Sequence, residues 1–255
     1  MLLCIDIGNT HITLGAWDKD KCLGHWRVRT VRDQTSDEYA ILLKSLLREG
    51  GCKWTAINRV AIASVVPPLT IVFSELFRYY WGIEPLIVGP GVRTGLRIRI
   101  DNPVELGADL VADAVAAYHR LRNACIVVNF GTATTFSAVS KTGDFLGVAI
   151  APGLELAAEA LASFTAQLPR VALVPPPAAI GKNTVHSMQS GLIFGYVGLV
   201  KELLQRIRAE LGGQAVVIAT GGLSSTLAPL IEDIDIVDPL LTLEGLRLIS
   251  ELNEA

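Results

Sequence analysis

Few residues in this sequence could build a disulfide framework or a zinc site. The four cysteines, Cys4, Cys22, Cys52 and Cys125, lie far apart, without a CxxC pair or a nearby histidine at zinc spacing. We therefore expect reduced thiols, most of them buried in or beside apolar segments. The first residues also lack the basic stretch and long apolar core of a secretory signal, which predicts a protein of the reducing cytoplasm.

An excess of basic residues is absent too, since 22 Lys and Arg stand against 25 Asp and Glu, for a formal net charge of −3. This balance argues against nucleic acid as a partner. The two most apolar stretches, residues 60–77 and 145–168, are interrupted by prolines, a glycine and glutamates, so we expect no membrane span. Hydrophobic residues make up 51% of the 255, enough to exclude disorder as the main state.

The common nucleotide-binding motifs are missing as well. No GxGxxG follows a predicted strand. The GKNT segment at residues 181–184 lacks both the earlier glycine of a phosphate loop and a Ser or Thr directly after the lysine. Any phosphate or carboxylate ligand must therefore be held by local groups of another kind.

What the chain does contain is an alternation of strand and helix patterns. Apolar and alternating runs predict strands at residues 2–7, 11–17, 60–66 and 85–88, with a candidate further strand at 22–29. Periodic apolar residues predict helices at residues 39–47, 69–80 and 108–121. This order favours an α/β fold with a mixed or parallel sheet.

The second half of the chain opens as the first does. An apolar strand runs into DIGNT at residues 6–10, and a second one runs into NFGTATT at residues 129–135; each is followed by a returning strand and a turn. We interpret this as a duplicated domain, with lobes at residues 1–115 and 116–255 and a cleft between them. A helix at 187–211, a strand at 215–219 and a last helix after residues 241–246 complete the predicted second lobe.

Both repeated turns suit phosphate binding. Gly, Asn and Thr after a strand offer backbone N–H groups and hydroxyls, and glycine lets a phosphate approach the main chain closely. One such turn alone is ordinary turn composition, but two equivalent copies facing one cleft favour a nucleotide-binding cradle. Asp6 in the first turn could hold a magnesium ion, and phosphoryl transfer is the chemistry that fits this arrangement.

Asp109 follows Gly107 and Ala108 at the predicted start of a helix. There an acidic side chain can simply stabilise the helix N-terminus, by about 0.3–1 kcal/mol. It can also accept the proton of a substrate hydroxyl, a role that contributes about 10²- to 10⁴-fold to a rate. These residues alone leave both interpretations open.

Seven motifs, in order, give the sequence a wider resemblance: DIGNT, IDNPVELGAD, FGTATTF, AIAPG, IGKNTVHSMQSG, ATGGLS and DPLLTLEGL. Over essentially its whole length the chain resembles type III pantothenate kinases, members of the acetate and sugar kinase, actin-like ATPase superfamily. The resemblance implies a duplicated ribonuclease H-like fold, with two lobes of mixed sheets flanked by helices. It also implies a homodimeric cytoplasmic enzyme that phosphorylates the primary hydroxyl of pantothenate, the first step towards coenzyme A, with ATP, Mg²⁺ and K⁺ or NH₄⁺.

The resemblance assigns roles to individual residues. Asp109 would be the proton acceptor, Asp6 would bind Mg²⁺, and Asn129 would hold the monovalent cation. ATP would be bound by Asp6, Gly8, Asn9, Thr10, Thr132, Gly221 and Gly222. Pantothenate would be bound by Ile100, Gly107, Ala108, Asp109, Leu110 and Thr184.

Three positions depart from the family's pattern. Leu110 stands where the family has arginine, and so lacks a charge-assisted contact worth about 1.5–3 kcal/mol. Asn129 replaces an aspartate, keeping a ligand oxygen but losing a negative charge, and Ile100 replaces a tyrosine. An active pantothenate kinase is our first hypothesis. The alternatives are a non-catalytic, nucleotide-binding regulatory or accessory protein, and a kinase for another small hydroxyl compound.

Overall fold

The computed structural model describes residues 1–254, which form an α/β protein with two compact units. Unit 1 comprises residues 1–96, residues 101–116 and the segment from Leu241 onward, and unit 2 comprises residues 97–100 and 117–240. The two units differ from the predicted lobes at two segments, because residues 97–98 pair with a strand of unit 2 and the last helix packs on strands of unit 1. The boundary at residues 115 and 116 stays a prediction about the duplication.

Each unit is built on one mixed sheet, as predicted. The strands are β1 (Leu2–Ile7), β2 (His11–Asp18), β3 (Lys21–Arg29), β4 (Arg59–Ser64), β5 (Leu86–Ile87), β6 (Arg97–Ile98), β7 (Cys125–Phe130), β8 (Ala133–Val139), β9 (Asp144–Pro152), β10 (Val216–Thr220) and β11 (Ile236–Val237). Unit 1 has the order β3-β2-β1-β4-β5, and unit 2 has β11-β10-β7-β8-β9-β6. Strand β1 pairs antiparallel with β2 and parallel with β4, and β7 in the same way pairs antiparallel with β8 and parallel with β10.

The helices flank these sheets and begin at local signals. They are α1 (Ser36–Glu49), α2 (Pro67–Trp81), α3 (Ala108–Leu121), α4 (Leu154–Ser163), α5 (Thr184–Gln189), α6 (Gly195–Glu210), α7 (Ser224–Leu227) and α8 (Leu241–Leu252). Thr35 caps α1 in a capping box with Glu38, and α2 starts with two prolines, whose fixed φ suits a first turn. The predicted helix at 187–211 is instead three segments, since a π-helical turn, Ser190–Phe194, separates α5 from α6.

The alternation of side chains along β1 decides which of its residues reach the site. Leu3, Ile5 and Ile7 join the apolar cluster formed with α1 and α2, in which the rings of Tyr39 and Phe73 are 4.8 Å apart. Because successive side chains of a strand point to opposite faces, Asp6 lies on the other face. That face of β1 is the one against which α8 packs.

The sheet of unit 2 separates its residues in the same way. Val128 and Phe130 of β7 pack in an apolar cluster with Tyr196 and Val200 of α6. Asn129, between them in sequence, therefore points to the opposite face of the sheet. Asp6 in β1 and Asn129 in β7 thus occupy equivalent positions, each one residue before the end of its strand.

The cysteines are free, as expected, and three of the four are buried, whereas Cys22 is half-buried. Burial raises the pKa of the Cys125 thiol to about 12, so this group stays protonated at neutral pH. Within residues 1–254, no helix combines the length and apolar character needed to cross a membrane.

Candidate active site

Residues that follow β3 form hydrogen bonds with the turn between β1 and β2. The Gly8 N–H donates to the His11 carbonyl at 3.0 Å, and the Thr30 hydroxyl donates to the Gly8 carbonyl at 2.7 Å. The Asn9 side-chain oxygen accepts from Arg32 at 2.9 Å, while the side chains of Asn9 and Thr10 remain exposed. A Cβ on Gly8 would lie 3.0 Å from the His11 carbonyl oxygen, so this tight turn favours glycine.

Asp6 lies one residue before the end of β1, with a partly exposed side chain. Burial of its carboxyl raises the pKa well above the usual range, and the charges of Asp109 and Asp113 raise that pKa further. All three acids belong to unit 1. A cation bound at Asp6 would offset both effects.

Asp109 lies in the first turn of α3, where the structure places it as predicted from the sequence. Its carboxylate accepts hydrogen bonds from its own backbone N–H and that of Leu110, which lower its pKa, but burial outweighs them and the pKa is raised. A Cβ at Gly107 would lie 2.5 Å from a carboxylate oxygen of Asp109. Glycine at position 107 thus leaves the space that the Asp109 carboxylate occupies.

Asp113 is an acidic residue of this site that our sequence analysis missed. It is fully buried on α3, one turn after Asp109, and one of its oxygens accepts a hydrogen bond from the Thr242 hydroxyl of α8 at 2.6 Å. The signal in the sequence was an acidic residue four positions after Asp109 within an otherwise apolar run, since residues i and i+4 share a helix face.

Helix α8 touches α3 through main-chain atoms as well. Gly245 is buried in α8, and a Cβ added to it would collide with the carbonyl oxygen of Ala112. The absence of a side chain at position 245 therefore allows the two helices to approach closely. The Thr242 hydrogen bond and this contact together fix the helix that carries Asp109 and Asp113.

In unit 2, the turn between β7 and β8 is closed by glycines. The Gly131 N–H donates to the Ala133 carbonyl at 3.2 Å, and the Gly153 N–H, after β9, donates to the Thr132 carbonyl at 3.1 Å. A Cβ on Gly153 would lie 2.5 Å from the Gly131 carbonyl oxygen and still closer to that of Thr132. Only glycine at position 153 therefore leaves room for the main chain of this turn.

Asn129 lies in a row of oxygen-bearing side chains across three strands. In the sheet register it is paired with Thr135 of β8 and with Thr220 of β10, and paired residues of neighbouring strands share a face. The hydroxyl oxygens of Thr135 and Thr220 are buried and have no hydrogen-bond partner among residues 1–254. Buried hydroxyls in that state are uncommon and point to a missing ligand or water.

Gly221 packs directly against this row. It has a φ of +90°, and a Cβ there would lie 2.5 Å from the Asn129 side-chain oxygen and 2.7 Å from the Phe130 carbonyl oxygen. Its own carbonyl accepts from the Ser224 hydroxyl at 2.7 Å. Gly222 follows as an exposed residue of the same turn.

Two further predicted residues, Thr184 and Ile100, belong to unit 2. Thr184 is the exposed first residue of α5, whose N-cap Asn183 accepts a hydrogen bond from the His186 N–H at 2.9 Å. Ile100 is half-buried just after β6, in unit 2, whereas residues 107–110 belong to unit 1. Unit 1 therefore brings Asp6, Asp109 and Asp113 together, and unit 2 brings Asn129 and Gly221 together.

Comparison with known proteins decides the family. The family model described as "Type III pantothenate kinase" matches residues 2–206. The chain belongs to the type III pantothenate kinase family. The relatives it resembles include the type III pantothenate kinase of Moorella thermoacetica, 49% identical with 99% of this chain and 100% of the relative covered. That of Roseiflexus sp. is 50% identical, with both chains fully covered.

Solved structures support the fold of this family member. A conserved Baf family protein from Campylobacter jejuni aligns with a TM-score of 0.61 at 20% identity, covering 98% of each chain. The activator of 2-hydroxyisocaproyl-CoA dehydratase from Clostridium difficile, with bound ADPNP, aligns with a TM-score of 0.55 at 12% identity, covering 98% of this chain and 95% of that one. The predicted α/β fold with mixed sheets flanked by helices is thereby confirmed.

Leu110, where the pantothenate kinase family resemblance predicts arginine, is only 7% exposed. It lies in the first turn of α3, directly after Asp109, and its side chain is buried. A buried leucine at this position strengthens the packing of α3 but supplies no hydrogen-bond donor to an anionic ligand.

The donor set around Asp6 fits a magnesium ion. Within the described part of the chain, no three or more His, Cys, Asp or Glu side chains are grouped to hold a metal by themselves. Mg²⁺ at phosphoryl-transfer sites is bound by one or two carboxylates, with waters and substrate phosphates completing the set. Asp6, whose carboxyl lies in acidic and poorly solvated surroundings, meets that requirement.

Proposed function

We propose that this protein transfers the γ-phosphoryl group of ATP to the primary hydroxyl of pantothenate, giving 4′-phosphopantothenate on the route to coenzyme A. The family membership over the whole chain carries this proposal. The Asp6 and Asp109 pair in unit 1 supports it, because phosphoryl transfer needs a cation-binding carboxylate and a group that accepts the hydroxyl proton. The non-catalytic alternative is not favoured by full-length similarity to curated kinases.

Asp109 is the proton acceptor in this proposal. The pantothenate hydroxyl oxygen bonds to the γ-phosphorus, and the bond from that phosphorus to the β,γ-bridging oxygen breaks, leaving ADP with the electron pair. The hydroxyl proton passes to the Asp109 carboxylate. Burial raises the pKa of this carboxyl and makes it a stronger base than an ordinary aspartate, while two backbone N–H groups hold it in place.

Asp6 and the first turn bind phosphate in this scheme. The backbone N–H groups of Asn9 and Thr10 contact phosphate oxygens, and Gly8, whose own N–H is bonded to the His11 carbonyl, lets the phosphate approach the turn closely. Asp6 would hold Mg²⁺, which neutralises charge developing on the phosphates when bound. Asp113 and Thr242 keep the helix that carries Asp109 in position.

The other proposed ligand contacts follow the family resemblance. In unit 2, Thr132 binds nucleotide phosphates, and Gly221 and Gly222 pass close to the adenosine, where a side chain at position 221 would be excluded by its φ of +90°. The proposed pantothenate contacts are Ile100, Gly107, Ala108, Asp109, Leu110 and Thr184. Leu110 contributes through packing rather than through charge.

A monovalent cation, K⁺ or NH₄⁺, is proposed to bind at Asn129. The amide oxygen of Asn129 and the unpartnered hydroxyl oxygens of Thr135 and Thr220 share one face of the sheet. Neutral oxygens of this kind suit a weakly charged cation. The loss of the aspartate charge predicts weaker binding than in relatives that have it.

We also propose that the enzyme is a cytoplasmic homodimer. Unit 2 exposes large apolar side chains, among them Ile150, Leu156 and Phe164, the last with 89% of its surface accessible. Exposed apolar surface of this extent is typical of an interface, and a second copy of the chain is the proposed occupant.

A kinase assay tests the proposed function. Purified protein with ATP, Mg²⁺ and pantothenate should form ADP and 4′-phosphopantothenate in equal amounts, detected by mass spectrometry. Asp109→Asn should lower kcat by about 10²- to 10⁴-fold, because the base is lost while the shape is kept. Asp20→Asn, at an exposed turn, serves as the matched control and should keep full activity.

Two results would contradict the proposal at different points. An Asp109→Asn variant as active as wild type would show that Asp109 is not the base. A wild type that phosphorylates another small alcohol more efficiently than pantothenate would show that the acceptor is wrong.

A further inference from the structure

A groove on unit 1 contains none of the candidate active-site residues. Its floor is the outer face of α1, and its wall is the chain from Gly51 to Thr55. It encloses about 630 Å³, within the range of small-molecule sites. We call it the α1 groove; it is lined by Ile41, Lys44, Ser45, Arg48, Gly51, Cys52, Lys53, Trp54 and Thr55.

Lys44 sits in the α1 groove within an aromatic cage. Its ammonium nitrogen is 4.6 Å from the ring centroid of Tyr80, 4.8 Å from that of Trp54 and 5.4 Å from that of Trp81. Rings at these distances attract a cation through their faces but accept no strong hydrogen bond from it. The half-buried ammonium thus keeps its N–H donors available.

The cage is held in place by its own hydrogen bonds. The Trp81 indole N–H donates to the Trp54 carbonyl at 3.0 Å, and the Tyr80 hydroxyl donates to Asp37 at 2.6 Å. The rings of Trp54 and Trp81 also meet edge to face, 5.9 Å apart. A binding surface fixed in this way loses little conformational freedom when a ligand arrives.

The charges in the α1 groove are all positive. Lys44, Arg48 and Lys53 line it, and no acidic residue does. Across residues 1–254, neither lysine has a carboxylate within ion-pair distance, and Arg48 pairs only with its exposed neighbour Glu49, at 3.2 Å. An exposed pair of that kind is weak and competes poorly with a ligand. Although the chain has a net charge of −3, three basic side chains line this one groove.

We propose that the α1 groove binds a nucleoside monophosphate, at a site separate from the catalytic one. The phosphate would contact Lys44 and Lys53, with Ser45 and Thr55 as hydroxyl donors. The planar base would stack on Trp54, whose side chain is 41% exposed. The combination of clustered cations with an accessible indole favours this ligand class over a simple inorganic anion.

The indole N–H signals of ¹⁵N-labelled protein test the proposal, with AMP as the probe. Saturable shifts are expected at Trp54 and Trp81, while Trp17, whose ring lies near Arg247 of α8, serves as the internal control. Adenosine and inorganic phosphate, titrated separately, should bind at least ten-fold more weakly than AMP. Lys44→Met, which keeps the length of the side chain, should weaken AMP binding at least ten-fold, whereas Lys141→Met, on an exposed turn of unit 2, should not.

Each contrary outcome overturns a stated part of the proposal. Shifts confined to Trp17, or absent at millimolar AMP, would show that the α1 groove is not a nucleotide site. If inorganic phosphate binds as tightly as AMP, the nucleoside contributes nothing to binding and the proposed ligand class is wrong. If Lys44→Met does not fold, Lys53→Met replaces it, and unchanged AMP affinity in that variant would refute the role of the cations.

Discussion

Replacing Gly245 by alanine tests whether close approach of α8 to α3 holds the candidate active site together. Alanine is favoured over glycine inside a helix by about 0.8–1 kcal/mol. In α8, however, the added Cβ would collide with the Ala112 carbonyl oxygen, a main-chain atom that cannot rotate away. Overpacking costs about 1–3 kcal/mol, and displacing α8 also weakens the Thr242 hydrogen bond to Asp113, worth about 0.5–1.5 kcal/mol.

The expected result is a net loss of about 2 kcal/mol or more in the free energy of unfolding, equivalent to a Tm lower by about 4–8 °C. Gly198→Ala in α6 is the matched control, because a Cβ there meets nothing within 4 Å and only the helix preference remains. Its Tm should rise by about 2–4 °C. Differential scanning calorimetry measures both shifts, and a Gly245→Ala variant as stable as wild type would refute the packing explanation. Its kcat should also fall, since α3 carries Asp109.

Four further predictions concern the site and its assembly. Thr242→Val should lower kcat several-fold with the KM for ATP within about two-fold, because it removes a bond to Asp113 without touching the nucleotide residues. The pKa of Asp109 is raised, so kcat/KM should fall, as pH is lowered, at a higher pH than an ordinary aspartate would give; a profile flat down to pH 4 would contradict this. Asn129→Asp should lower the K⁺ concentration needed for half-maximal rate, and an unchanged K⁺ dependence would show that this residue does not bind the cation. Phe164→Glu should increase the fraction of monomer measured by analytical ultracentrifugation, and an unchanged dimer fraction would show that the interface does not include Phe164.

The parts of the fold that could be predicted from the sequence are those with local causes. The strands β1 and β2 and the turn between them follow from side-chain alternation and turn residues, and the helix at residues 108–121 follows from its apolar period. Where the start of a helix differs from its predicted position, as in α1, the reason is also local. The cap of α1 is Thr35, one residue before the Ser36 that precedes the periodic run, because only Thr35 forms the capping box with Glu38.

Features that depend on distant partners escaped prediction. The apolar stretch at 145–168 was identified only as too interrupted for a membrane span, but it forms most of β9 and all of α4. Strand β9 needs β8 beside it to be recognised, and its sequence alternates poorly. The placement of α8 in unit 1, far along the chain from β1, is likewise a tertiary effect.

The same limit applies to the candidate active site. Asp6, Asp109 and Asn129 were named because they belong to motifs, whereas Asp113 has no motif and gains its interest only from the burial of its carboxylate and from Thr242. Thr135 became visible only through the register of the hairpin of β7 and β8, and Thr220 only through the pairing of β7 with the distant strand β10. Pairing between strands far apart in sequence cannot be read from the pattern of either strand alone.

The return of α8 to unit 1 has a consequence for synthesis on the ribosome. Domains usually fold as they emerge, the N-terminal one first. Here the long central stretch of unit 2, residues 117–240, is translated before α8, while the face of β1 that carries Cys4 and Asp6 waits for its covering helix. A chain truncated just before Leu241 would therefore contain all of the second unit but lack the helix that covers this face of the first, the reverse of the usual vectorial order.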